Sequence, residues 1–317
     1  MNQKVLIVGF GSSGQRYFKI IKDRYPQTDI KVYSYTKKNK KFFINNKSDL
    51  ILYDPETIFF CNPSSKRIHF LDLINNSQNI FFEKPLSHNL KDGNKIYLSI
   101  KKKNLTAVGY NLRFYNILNF VKKNMKKYIG NVYSFNCENG YLLKKWRIKN
   151  YTKTVTASKK LGGGALLEMS HELDYLTWIF GKKYKCKAYG FNTKQLKIDV
   201  EDNVKIIFNF SNKFLGSLSL DLLSNQKKRF LIINGTKGVL KIDLIKNTIR
   251  FLAKNSKLWK NIFFKKNKIE DTYFEVVDYF LKKKIDRNKS NIASVKDGVF
   301  VLQVLKSLKN FNNNVFK

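Results

Sequence analysis

Val5-Leu6-Ile7-Val8 runs directly into Gly9-Phe10-Gly11-Ser12-Ser13-Gly14, and a helix-like stretch comes next over residues 14–24. The spacing G-x-G-x-x-G between a buried strand and a helix is one that few folds accept. Gly9 makes the tight turn, Gly11 lets the backbone approach a pyrophosphate, and Gly14 lets helix and strand pack closely. The helix N-terminus adds unpaired N–H groups for phosphate oxygens. The loop, with Phe10, Ser12 and Ser13 between its glycines, therefore predicts a dinucleotide-binding unit.

Beyond the loop the chain keeps alternating between strand and helix. Strand-like runs at 30–35, Leu50-Ile51-Leu52, 57–61, 79–83 and 106–110 are interleaved with helix-like stretches at 67–74 and 90–102. That alternation implies a parallel, doubly wound sheet of the Rossmann type. From about residue 129 the pattern changes to alternating apolar and polar positions, at 131–142, 184–191, 204–210, 214–222, 229–233 and 239–245. Asn234-Gly235-Thr236-Lys237-Gly238 reads as a hairpin turn. A helix is expected over Ala165–Phe180, stopped by Gly181, and two more at 270–284 and 294–309. The expected fold is α/β, an N-terminal Rossmann domain (1–115) and a C-terminal α+β domain (116–317) with a large, mainly antiparallel open sheet. The last helix is expected to pack back on the first domain. A chain of 317 residues is long for one core, which fits two domains.

Charge is the strongest compositional signal: 61 Lys and Arg against 23 Asp and Glu give +38. Phosphate neutralisation by lysine would suit nucleic acid. Here, however, lysines are scattered along the chain, and Lys, Asn, Ile and Phe are all abundant, as an AT-rich coding sequence would give. No nucleic-acid partner is expected. Cys61, Cys137 and Cys186 are isolated and form no C-x-x-C pair, so no metal and no disulfide framework is expected. No apolar run reaches the ~18 residues of a membrane span, and Val5–Val8 is too short for a signal peptide. The expectation is a cytoplasmic protein with no membrane partner.

Glu83-Lys84-Pro85 ends the apolar run Asn79–Phe82, and strand ends are where open α/β sheets bind ligands. Pro85 has no N–H for the ladder, so the strand stops and presents Lys84 at its tip. A lysine there can polarise an oxygen as charge develops on it. An NAD site places an acid about 20 residues after the last glycine. This chain has Ser34, Thr36 and Lys37 there, groups that suit a 2′-phosphate, so NADP is expected over NAD. Farther on, Glu168, His171 and Tyr175 fall at i, i+3 and i+7 of an otherwise apolar helix. Such a polar stripe needs partners, and a substrate cleft supplies them. His171 is the candidate proton acceptor, with Asp174 three residues on to orient it.

Taken in order, the glycine loop, Asn62-Pro63-Ser64, Glu83-Lys84-Pro85, Gly109-Tyr110-Asn111-Leu112-Arg113-Phe114 and Gly162-Gly163-Gly164 resemble the Gfo/Idh/MocA oxidoreductases. That family includes glucose-fructose oxidoreductase and inositol dehydrogenase. The stretch with Trp146, Arg147 and Tyr151 looks most like members of sugar and surface-polysaccharide biosynthesis. The resemblance implies an NAD(P)-dependent sugar dehydrogenase or reductase that forms homodimers or homotetramers. It makes Lys84 the active-site lysine, followed by a cis Lys84-Pro85 bond, with Glu83, Cys61, Asn62, Pro63, Ser64 and Asn111 along the cofactor. Tyr110, Trp146, Arg147, Tyr151 and Tyr175 become candidates for the substrate. Arg113 is either another of these or an interdomain contact.

Two departures accompany the resemblance. Many members place an aspartate four residues before the histidine and a glycine two before it; here Glu168 is three before His171 and Met169 holds the glycine position. The histidine that many members carry shortly after the N-P turn is also out of register, because His69 comes two positions late. A non-catalytic dinucleotide-binding sensor is the alternative reading, and the presence of both Lys84 and His171 speaks against it.

Overall fold

A computed structural model describes residues 3–35, 41–44, 46–74, 78–100, 105–146, 150–211, 213–282 and 291–310. The chain divides into two compact units, residues 1–114 with 268–302, and residues 115–267 with 303–317. The first unit is thus discontinuous: residues 268–302, which the sequence reading gave to the second domain, lie in it, and the last helix is placed there as expected.

The first unit opens with β1 (Lys4–Val8), α1 (Ser12–Arg24), β2 (Asp29–Tyr33), β3 (Phe43–Ile44), α2 (Lys47–Tyr53), β4 (Thr57–Phe60), β5 (Asn79–Phe82), α3 (Leu90–Ser99) and β6 (Thr106–Val108). Leu50-Ile51-Leu52 lies in α2, not in a strand: Asn46 caps that helix from its side chain, and Ile51 and Leu52 point outward. The strands form one parallel sheet in the order β3-β2-β1-β4-β5-β6. The order reverses between β1 and β4, which opens a crevice at their carboxyl ends. Cys61 N–H donates to Val8 O, Glu83 N–H to Phe60 O and Gly109 N–H to Phe82 O, so the residues after β4, β5 and β6 share one edge.

In the second unit α4 (Asn116–Ile129) is followed by β7 (Val132–Gly140), α5 (Leu143–Trp146), α6 (Ala165–Glu168), α7 (Ser170–Phe180) and β8 (Lys185–Phe191). Then come β9 (Asn203–Asn209), β10 (Leu215–Asp221), β11 (Lys228–Gly235), β12 (Gly238–Asp243), β13 (Thr248–Ala253) and β14 (Lys260–Ile262). The period-two pattern is visible as burial: Val204, Ile206 and Phe208 are covered while Lys205 and Ile207 face solvent. Phe180 of α7 stacks on Phe135 of β7 at 4.5 Å and anchors the helix to the covered face.

The chain then returns to the first unit through α8 (Asp271–Leu281) and α9 (Val295–Gln303). Val276, Val277, Phe280 and Leu281 join the cluster of Val5, Tyr17, Ile21, Phe59 and Phe81. Asp278 receives Arg24 at 2.8 Å and the Tyr25 hydroxyl at 2.8 Å. Residues 308–310, of which 308 and 309 were expected to be helical, form β15 (Leu308–Asn310), parallel to β8. The second sheet runs β14-β13-β12-β11-β7-β10-β9-β8-β15 and is antiparallel except at β10·β7 and β15·β8. Among the described residues no helix is long and apolar enough to cross a membrane.

Candidate active site

The glycine loop has the geometry its spacing predicts. Gly9 sits at φ +99°, and a Cβ there would lie 2.5 Å from Asn62 N. A Cβ on Gly14 would collide with Gly9 O, so both glycines are required by the fold itself. Gly11 is different, since a Cβ there would meet nothing within 4 Å. Its small size serves no packing within the protein, and it leaves open space at the α1 N-terminus for a ligand. Ser12 is exposed, Ser13 half-buried, and Phe10 packs edge-on against Phe18 and Phe43.

Across the switch point lie buried polar atoms. Both side-chain polar atoms of Asn62 and the hydroxyls of Ser64 and Ser65 are sheltered and have no hydrogen-bond partner among the described residues. Such atoms are costly unless something polar reaches them. A dinucleotide has the hydroxyls, phosphates and amide to do so, and the residues therefore fit one. Glu83 and Lys84 follow on β5, with the Lys84-Pro85 peptide cis and Lys84 half-buried. Burial raises the Glu83 carboxyl above its ordinary range, against the opposing charges of Lys84, Arg67 and Arg16. Burial also pushes the Cys61 thiol well above its ordinary value. At the β2 tip Ser34 is buried; Thr36 and Lys37 lie outside the described residues.

In the second unit the glycine run has physical causes. Gly162 (φ +83°) and Gly164 (φ +103°) adopt backbone conformations that favour glycine, and a Cβ on Gly163 would strike the carbonyls of Val155 and Thr156. Glu201 then caps α6, its main-chain oxygen accepting from Ala165 N and its carboxylate from Leu166 N. The expected continuous helix breaks at Met169 (φ −98°, ψ 27°), which separates α6 from α7. Glu168 therefore stands on one side of the break, its carboxylate accepting from the Thr156 hydroxyl at 2.9 Å, and His171 on the other. Both are half-buried, whereas Asp174 is 1% exposed. Beside His171, Glu172 has no solvent exposure and pairs with Arg229 Nε of β11 at 2.7 Å.

Residues 125–241 match the GFO/IDH/MocA C-terminal domain. The 2,7-anhydro-N-acetylneuraminate hydratase of Escherichia coli is 25% identical over 182 residues, 53% of this chain and 46% of that protein. Levoglucosan dehydrogenase, solved in complex with NADH and levoglucosan, is similar across 97% of this chain and 97% of its own at TM-score 0.79 and 16% identity. The WlbA dehydrogenase from Bordetella pertussis, in complex with NADH and UDP-GlcNAcA, is similar at TM-score 0.75 and 17% identity, covering 97% and 95%. The resemblance to the Gfo/Idh/MocA oxidoreductases is thus supported over residues 125–241, by the match to that family's C-terminal domain. It spans 46% to 50% of the length of the curated relatives it matches.

Set beside the family resemblance, several expected site residues have other work. Tyr175 is fully buried, its hydroxyl 3.1 Å from Cys137 Sγ, so it belongs to the core and presents nothing to a substrate. Asn111 donates to the Thr272 hydroxyl on α8 at 2.5 Å and is 2% exposed. Arg113 pairs with Asp297 of α9 at 3.2 Å within the first unit, and Tyr110 is 1% exposed. Asn111 and Arg113 escape a local reading because α8 and α9 are far away in sequence, and nothing nearby signals their return. Trp146 stays 45% exposed with its ring against Tyr141, and the Tyr151 hydroxyl accepts from Lys197 N. Arg147 lies outside the described residues. His69 is exposed. Arg67, Arg229 and Glu201 carry no sequence signal of their roles; in so basic a chain an arginine gives no sign of being buried.

Proposed function

We propose that this chain is a pyridine-nucleotide-dependent oxidoreductase acting on a sugar or a nucleotide-linked sugar. The observation that carries the reading is the switch-point edge. There Gly11 leaves open space, Asn62, Ser64 and Ser65 carry buried unpartnered polar atoms, and Glu83-Lys84 follows the next strand. Gly9, Gly11 and Gly14 admit the pyrophosphate, and the α1 N–H groups receive it. A bound nicotinamide would supply the hydride donor or acceptor. Lys84 stabilises negative charge developing on the substrate oxygen, and His171 holds or accepts the hydroxyl proton at a ring nitrogen. Asp174 and Glu168 support His171, with Trp146 and Tyr151 as sugar contacts.

NADP(H) is the preferred dinucleotide in this reading, because β2 is followed by Ser34 and not by a carboxylate. The sugar class draws its support from the named ligands of the structural neighbours. The solvent-facing side of the second sheet, with Ile207 48% and Leu215 56% exposed, suits a homo-oligomer. One relative is named a hydratase, and that favours a second reading in which oxidation and reduction cancel over a turnover. The test is a screen of free, phosphorylated and nucleotide-linked sugars with both dinucleotides, followed by absorbance at the reduced-nicotinamide band and by product analysis. Reduction that disappears in Lys84→Ala supports the dehydrogenase; product without net reduction supports the second reading. NADH binding at least as tight as NADPH sinks the NADP preference.

A further inference from the structure

Arg67 is a large cation with 2% exposure, set in the 3₁₀ segment Ser64–Leu73 that follows β4. Its Nη1 donates to the main-chain oxygens of Pro85 and, at 3.0 Å, Leu86, and its Nη2 to Asn62 O at 3.3 Å. One planar fork therefore joins the turn after β4 to the turn after β5. Those turns carry the unpartnered atoms of Asn62 and Ser64 on one side and Glu83-Lys84 on the other. A buried cation is expensive, and an apolar side chain of similar volume would fill the same space without that cost. Filling space does not explain a guanidinium here. A rigid fork reaching three carbonyls does, since lysine presents only a point charge.

We propose that Arg67 is a positioning residue that locks the Asn62–Ser65 turn to the Lys84–Leu86 turn, so that Lys84 and the polar atoms of Asn62 and Ser64 are in place before a dinucleotide binds. The proposal rests on the dinucleotide reading above. It carries an electrostatic corollary. Burial pushes Arg67 down to about 10, which leaves it cationic at neutral pH, and its charge opposes the burial that raises Glu83. Lys84, Arg16 and Tyr17 are the other groups that act on Glu83.

The experiment titrates NADH and NADPH by fluorescence against the wild-type chain, Arg67→Lys, Arg67→Met and Arg67→Ala, at several pH values, with melting of each ligand-free chain. Arg67→Met is expected to weaken binding about tenfold or more and, because it leaves three carbonyls without their donor, to melt below wild type while still folding. Arg67→Lys should fall between the two. The loss in Arg67→Met should deepen toward acid pH, where Glu83 now protonates earlier; Arg67→Lys should not show that deepening. Millimolar guanidinium should restore binding to Arg67→Ala, which a merely structural role would not allow. A folded Arg67→Met that binds like wild type overturns the proposal. If the Met and Ala variants fail to fold, Arg67→Lys decides: unchanged affinity overturns it and weakened affinity supports it. Failure of the wild-type chain to bind either dinucleotide sinks the functional reading instead.

Discussion

Arg229 Nε lies 2.7 Å from Glu172 Oε1; the carboxylate has no solvent exposure, and the arginine keeps 17%. This pair fastens α7 to β11 one residue beyond His171. Removing one partner of a buried pair strands the other charge, which costs about 3–5 kcal/mol. Arg229→Met should therefore destabilise the chain by that order in urea unfolding. Glu172→Met combined with Arg229→Met should recover much of the loss, because the replacement is then apolar on both sides. A double variant as unstable as the sum of the singles would contradict this account.

Gly11 and Gly14 should respond in opposite ways to the same added methyl. Gly14→Ala drives a Cβ into Gly9 O, so both stability and dinucleotide binding should fall. Gly11 already has φ −73°, which alanine adopts freely, and nothing lies within 4 Å of the added carbon. Gly11→Ala should change stability by less than about 1 kcal/mol, since the gain from a stiffer unfolded chain offsets the weaker cap. Its affinity for NADH or NADPH should nevertheless drop severalfold. Melting curves and fluorescence titration separate the two effects, and equal affinity in Gly11→Ala would mean the open space is not a phosphate seat.

The first βαβ unit was legible because strand, glycine loop and helix are contiguous and each glycine answers a local steric need. The second sheet was legible for a similar reason, as alternation such as Val204-Lys205-Ile206-Ile207-Phe208 records which face is covered. Long-range closure was not legible. Asn111 finds Thr272, Arg113 finds Asp297 and Tyr175 finds Cys137, and in none of these does the sequence near one residue point to the other. The stripe Glu168, His171 and Tyr175 assumed an unbroken helix, whereas the break at Met169 changes which side chains can share a face. Leu50-Ile51-Leu52 misled because a short apolar run has no readable period.

Lys84 and His171 should separate binding from turnover. Lys84→Ala removes the cation at the end of β5 while the glycine loop is untouched, so dinucleotide affinity should change little. Turnover on the substrate found by the screen should fall by about 10²–10³. His171→Asn should lower turnover by about 10²–10⁴ and remove one limb of its pH profile. Full activity in either variant refutes the assigned role.

Glu83 supplies a pH test that needs no substrate. Its carboxyl is raised by burial, with Lys84, Arg67, Arg16 and Tyr17 acting against that rise. Above the unfolded value, near 4.3 for a glutamate, the folded chain therefore holds a proton that the unfolded chain has released. The stability this contributes is complete below the unfolded value and is lost as pH rises through the folded one. Glu83→Gln cannot titrate and should lack that loss. The melting temperature of Glu83→Gln relative to wild type should thus climb with pH across the acid range and level off once wild-type Glu83 is ionised. Scanning calorimetry of both chains from about pH 4 upward, the unfolded glutamate value, measures the difference directly. A difference that stays flat, or that narrows as pH rises, means the Glu83 carboxyl is not held above its ordinary range in the folded chain.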